Sequence, residues 1–165
     1  MLFRAMLVLI AGFIIYPQNT VAQKPEYDTT ERTFTSNVPL NEINTKAFRH
    51  FTKNYPNVHD ETWAMTAKEI IVSFTQDSKT CRTYYSKKGE FRLSVITYSQ
   101  RQNFPEELKN LVSIGYPGSE IENIVELFNR NDQVYGITIS NNQTFRLLEY
   151  YHGEAKIINE YIKQL

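Results

Sequence analysis

Two Tyr-Pro pairs, Tyr55-Pro56 and Tyr116-Pro117, each close a helix-patterned stretch and open a series of β-patterned runs. In the first helical stretch Asn41 offers a cap, and Ile43, Ala47, Phe48 and Phe51 recur on one face. Proline disfavours helix at the residue before it, so the stretch ends at Tyr55. In the second, Pro105 suits the first turn and Glu106 and Glu107 suit its positive end, while Leu108, Leu111, Val112 and Tyr116 mark the buried face. The β-patterned runs after the first helix are residues 62–65, 70–75, 82–86 and 91–98; those after the second are 124–128, 134–140, 144–151 and 155–162. The connections between them are too short for a crossover helix, so consecutive runs must pair antiparallel. The turn Gly89-Glu90 returns as Gly153-Glu154, 64 residues on, whereas the Tyr-Pro pairs are 61 apart, which implies a three-residue insertion. The expectation is an α+β fold of two tandem repeats, each one helix packed on a four-stranded antiparallel sheet, with repeat 1 about 39–100 and repeat 2 about 101–165.

Ahead of that domain lies an export signal. Arg4 gives a short positive start, residues 5–15 (AMLVLIAGFII) form an apolar run too short to span a bilayer, and Thr20-Val21-Ala22 places small residues where signal peptidase cuts. Residues 1–22 read as a signal peptide and 23–38 as a polar, Thr-rich leader. The mature chain is then expected in the periplasm or outside the cell, with no stable membrane insertion after cleavage.

Charge excludes one class of partner. With 18 Lys+Arg against 18 Asp+Glu, interspersed, the chain has no basic field to hold a phosphate backbone, and nucleic acid is not expected. Chemistry is equally sparse. His50, His59 and His152 are scattered; no HExxH, CxxC, GxSxG or glycine-rich phosphate loop occurs. His59-Asp60-Glu61 reads as a polar loop, and Cys81, the one cysteine, as a structural strand residue. Neither catalysis, nor a cofactor, nor a metal is expected.

Strand alternation points to a surface instead. Ile70, Val72 and Phe74 share one face, with Phe91, Leu93 and Val95 matched to it; Arg92, Ser94, Ile96 and Tyr98 then point oppositely. A helix covers only one face of a sheet. The other is expected to bind, with Tyr84, Tyr98, Arg82, Arg92, Arg146 and Tyr150 as anchors, since exposed rings and arginines offer contact area at low entropic cost.

A helix ending in Asn54-Tyr55-Pro56-Asn57, the single Trp63, a strand ending Ser73-Phe74, the Tyr-rich strand around Tyr84-Tyr85 and the turn Lys88-Gly89-Glu90, echoed more weakly after Asn103-Phe104-Pro105, resemble the exported PepSY-like proteins, also described as β-lactamase-inhibitor-like. The resemblance covers about residues 39–162. It implies helices on antiparallel sheets in tandem, a periplasmic or secreted setting, and, from related propeptide and inhibitory modules, binding of a protein or peptide. It brings no catalytic residues. Ile124 and Val125 stand near where the first half has Trp63, which departs from a strict match. A small-molecule or glycan carrier of the cell envelope is the alternative reading.

Overall fold

The computed structural model describes residues 35–36 and 38–164; the expected signal peptide and most of the leader lie outside them. The elements are β1 (Thr35–Ser36), a 3-10 turn (Leu40–Glu42), α1 (Thr45–Asn54), β2 (Thr62–Met65), β3 (Glu69–Gln76), β4 (Lys79–Ser86) and β5 (Phe91–Tyr98). They continue with a second 3-10 turn (Arg101–Asn103), α2 (Glu106–Gly115), β6 (Glu120–Phe128), β7 (Gln133–Ser140), β8 (Thr144–Tyr151) and β9 (Glu154–Ile162).

The nine strands form one antiparallel sheet in sequence order. This corrects the expectation of two helix-plus-four-strand repeats, each with a sheet of its own. Strands β5 and β6 pair directly, from Ser94 with Phe128 to Tyr98 with Ile124, so there is no seam at which the sheet divides. The physical reason is edge closure: two separate sheets would each expose a full-length strand edge at this point, and pairing removes both. The result is a mostly β molecule with two helices on one face.

Both helices end where the Tyr-Pro pairs place them, with the Tyr55 and Tyr116 amides bonded back to Phe51 and Val112. The start of α1 differs from expectation. Asn44, not Asn41, caps it, its Oδ1 accepting from the Lys46 amide at 2.9 Å, because the 3-10 turn occupies the residues just before. The same Asn44 donates through Nδ2 to the Lys87 carbonyl in the β4–β5 turn. Gly89 makes that approach possible: its φ is +74°, and a Cβ there would stand 2.8 Å from the Ala47 amide nitrogen.

Beneath α1, Ala47 and Phe51 pack on Trp63, Ile70, Val72, Phe74, Cys81 and Tyr85. Beneath α2, Leu108 and Val112 pack on Ile121, Ile124, Ile137, Ile139 and Leu148. Ile96 borders both clusters, which places both helices on the same side of the sheet. A third cluster, Leu93, Val95, Val125, Leu127 and Val134, lies on the opposite side and contains strand residues alone.

The two lateral edges are finished differently. Outside β2, the short β1 pairs Thr35 with Met65 and Ser36 with Ala64, and the Val38 amide donates to the Trp63 carbonyl at 3.0 Å. At the other edge, β9 pairs with β8 and, among the described residues, with no strand on its other side.

Candidate binding surface

The helix-free face is assembled by cross-strand register. Tyr84 stands opposite Leu93, Arg82 opposite Val95, Val95 opposite Leu127, and Leu127 opposite Val134. These rows bring an apolar strip to the middle of the face, with Tyr84 and Tyr151 packed against its sides. Leu127 and Val134 are only 2% exposed, so the strip is closed over and behaves as a small core of its own. What it presents outward is its rim: the half-buried ring of Tyr84, exposed Arg82, and Tyr151, whose hydroxyl donates to Asp132 at 2.9 Å. An aromatic and a guanidinium raised beside packed apolar side chains are suited to desolvated contact with another surface.

The helix-covered face holds a polar network that sequence reasoning missed. Glu126, buried in mid-strand, accepts from the Tyr98 hydroxyl at 2.5 Å and from Gln133 Nε2 at 2.7 Å; Gln133 Nε2 also lies 2.7 Å from the Tyr135 hydroxyl. Further along, Tyr150 donates to Glu107 of α2, and its ring lies 6.2 Å from that of Tyr135. Burial, then the bond to Glu126, hold the Tyr98 phenol above its ordinary range; burial, then the charges of Glu126 and Glu107, push Tyr135 up to about 12. The available signal was a lone carboxylate inside the apolar run Ile124-Val125-Glu126-Leu127-Phe128. Beside it, Glu126, Phe128, Asn129, Asn131, Asp132 and Gln133 line an open depression of about 340 Å³. Among the described residues no group of His, Cys, Asp and Glu is arranged to hold a metal ion. Asp60 serves a loop, its Oδ2 accepting from the Thr75 amide at 3.0 Å.

No protein-family model matches the sequence, and no curated protein matches it. Solved structures do share the architecture. A DUF2874 family protein from Bacteroides uniformis is 12% identical with a TM-score of 0.54, covering 72% of this chain and 88% of its own. A BLIP-like protein from Bacteroides fragilis is 14% identical with a TM-score of 0.53, covering 71% and 84%. A protein from Bacteroides eggerthii, described provisionally as periplasmic, is 11% identical with a TM-score of 0.54, covering 72% and 87%. The fold resembles the BLIP-like one.

On that BLIP-like sheet the expected anchors fall on different sides. Tyr84 and Arg82 lie together on the helix-free face, opposite Leu93 and Val95. Arg92 is the extra residue of a bulge, since Tyr84 and Tyr85 face Leu93 and Phe91 and leave Arg92 between them, exposed. Beyond that bulge the alternation of β5 inverts, because one extra residue exchanges the two faces. Ser94, Ile96 and Tyr98 therefore lie under the helices, and Leu93 and Val95 on the helix-free side. Tyr98 and Tyr150 are 7% and 8% exposed within the α2 cluster. Arg146 stands opposite Ile139 on the same side and pairs with Glu160 at 2.9 Å. Among the described residues no helix is long and apolar enough to cross a membrane.

Proposed function

We propose that the chain is an exported, non-catalytic binding module that recognises a protein or peptide through the helix-free face of its sheet, with Tyr84, Arg82 and Arg92 as principal contacts and no cofactor. The observation that carries this reading is the pairing of Tyr84 with Arg82 on the rim of the Leu93, Val95, Leu127 strip, on the side that neither helix packs against. An export signal in residues 1–22 and the provisional periplasmic description of the Bacteroides eggerthii protein support work in the periplasm or outside the cell. The BLIP-like neighbour supports a protein as the partner, and kinship with PepSY-like proteins, read from the aromatic-Pro and Lys-Gly-Glu motifs, belongs to the same reading.

The envelope-carrier alternative would draw on the depression at the β6–β7 turn, but that depression is open, with Phe128 the one ring among carboxylate and amide groups, whereas small-molecule sites are enclosed and mostly apolar. The test is a comparison of bait proteins on native envelope extract. A protein retained by the wild type and lost from the Tyr84→Ala, Arg82→Ala double variant, with unchanged melting, supports the face. Equal retention by both places the contact elsewhere, and capture of only a small molecule favours the carrier.

A further inference from the structure

The sheet has one protected edge and one open one. Strand β2 is four residues long and is capped by β1 and the Val38 bond, whereas β9 runs for nine residues, about 30 Å at the usual rise, with no described strand beside it. A strand edge is a row of alternating donors and acceptors, and proteins ordinarily guard it with shortness, charge or cover. Here the apolar residues on that edge are exposed: Ile157 by 43%, Tyr161 by 54% and Ile162 by 81%. Of the charged residues on β9, Glu160 is paired with Arg146, while Glu154 and Lys156 stand exposed near its start.

We propose that the outer edge of β9 accepts an extended segment of a partner protein as a tenth strand, a second interaction surface independent of the helix-free face. Main-chain bonds give such an addition its strength and alternate side chains its selectivity. The edge specifies the partner's chemistry. Ile157 and Ile162 lie on the helix-covered side, with Leu148 opposite the first and Thr144 opposite the second, and call for apolar residues there. On the other side Glu154 and Lys156, opposite Tyr151 and Glu149, call for a basic and an acidic residue two positions apart. A second copy of the chain fits less well. The register shift between Leu147 and Leu148 leaves Ile158 as an extra residue, so a two-fold related β9 would set the stretch before the bulge against the stretch after it, out of phase. A strand from a different chain is free to change phase opposite Ile158 and so to follow both stretches.

The direction of the edge amides supplies the test. The Lys163 amide donates inward to the Gln143 carbonyl at 2.7 Å, and amides alternate along a strand, so the Ile162 amide points outward. Ile162→Pro removes that outward donor while the pairing with β8 stays intact, and Ile162→Thr keeps the donor while removing the same apolar side chain. The probe is a displayed library of nine-residue peptides, selected against the full mature chain. The expected result is a set of alternating apolar sequences that bind the Thr variant and bind the Pro variant at least tenfold more weakly, and that slow hydrogen exchange of the Ile162 amide at least tenfold in the wild type; the Glu160 amide already donates to Asn159 Oδ1 at 2.9 Å. The exchange measurement decides the matter should the Pro variant unfold. Failure to enrich any peptide, equal binding to the Pro and Thr variants, or binding abolished by Tyr84→Ala and Arg82→Ala but not by Ile162→Pro would overturn the proposal. A concentration-dependent dimer abolished by Ile162→Pro would overturn the choice of partner in favour of a second copy.

Discussion

Under α1 the sheet is filled with rings, and under α2 with branched aliphatic chains. Phe51 sits edge-on to Trp63 and Phe74 with centroids 5.3 and 5.2 Å away, and Tyr85 stacks behind Trp63 at 6.3 Å. Beneath α2 the fully buried residues are Leu108, Val112, Ile124, Ile137, Ile139 and Leu148, and the buried aromatic hydroxyls, Tyr98 and Tyr150, are each bonded to a carboxylate. The polar atoms fare differently as well. Trp63 Nε1 is buried without a hydrogen-bond partner among the described residues, whereas Tyr98 is held by Glu126. Large rings fill space with few residues but carry polar atoms that must be placed. Aliphatic chains avoid that difficulty, and the second core then confines its polar groups to a network at its margin.

The contrast predicts unequal responses to substitution. Trp63→Ala should lose most, about 3–5 kcal/mol, because the ring touches Phe48, Phe51 and Tyr85 and no small side chain refills its volume. Denaturant unfolding checks this, and a loss below about 1 kcal/mol would mean that the aromatic core repacks freely. Tyr98→Phe should cost about 1–3 kcal/mol, since it takes one of two donors from the buried Glu126 carboxylate while leaving the ring in place. Ile137→Val, deleting one methylene from the aliphatic core, should cost about 0.5–1.5 kcal/mol.

Two smaller effects depend on pH, and both belong to the core under α1. Burial first, and then the positive charges of Arg130 and Lys53, lower the pKa of His50, whose Nδ1 lies 3.1 Å from the Tyr85 hydroxyl. A histidine that is harder to protonate when folded leaves the unfolded chain binding more protons, so its contribution is intact above about pH 6.5 and is lost as pH falls below it. His50→Gln should flatten melting temperature against pH in that range. Burial pushes the Cys81 thiol the other way, up to about 11. The unfolded thiol ionises first, so this contribution is present below about pH 9 and is lost as pH rises from there towards 11. In the native protein, alkylation of Cys81 should therefore track global unfolding, and rapid labelling at pH 8 under native conditions would contradict its burial.

Local pattern carried much of this architecture. Tyr-Pro pairs ended both helices, and alternation located every strand from β2 to β9 to within a few residues. Two long-range facts were beyond it. Whether β5 and β6 pair across the 3-10 turn and α2 depends on tertiary closure, which leaves no period in the residues. The bulge at Arg92 looks in sequence like one more alternating residue, yet it exchanges the sides of everything after it in β5, which is why Tyr98 and Ile96 were expected on the helix-free face. In the candidate site, Tyr84 and Arg82 were legible because β3 and β4 run without irregularity, and Glu126 stood out only as an isolated charge.

The strictly sequential strand order bears on how the chain acquires its shape. Every strand in the sheet pairs with its neighbours in sequence, so no step requires distant segments to find each other. Closing a short loop costs little chain entropy, and topologies rich in local contacts cross their folding barriers faster than those built from remote pairings. A chain that emerges from one end, as in synthesis, can thus add strands in order, each one extending an edge already formed. The two wide gaps, each spanned by a helix, fall between β1 and β2 and between β5 and β6, and closing them is the expected slow step of folding.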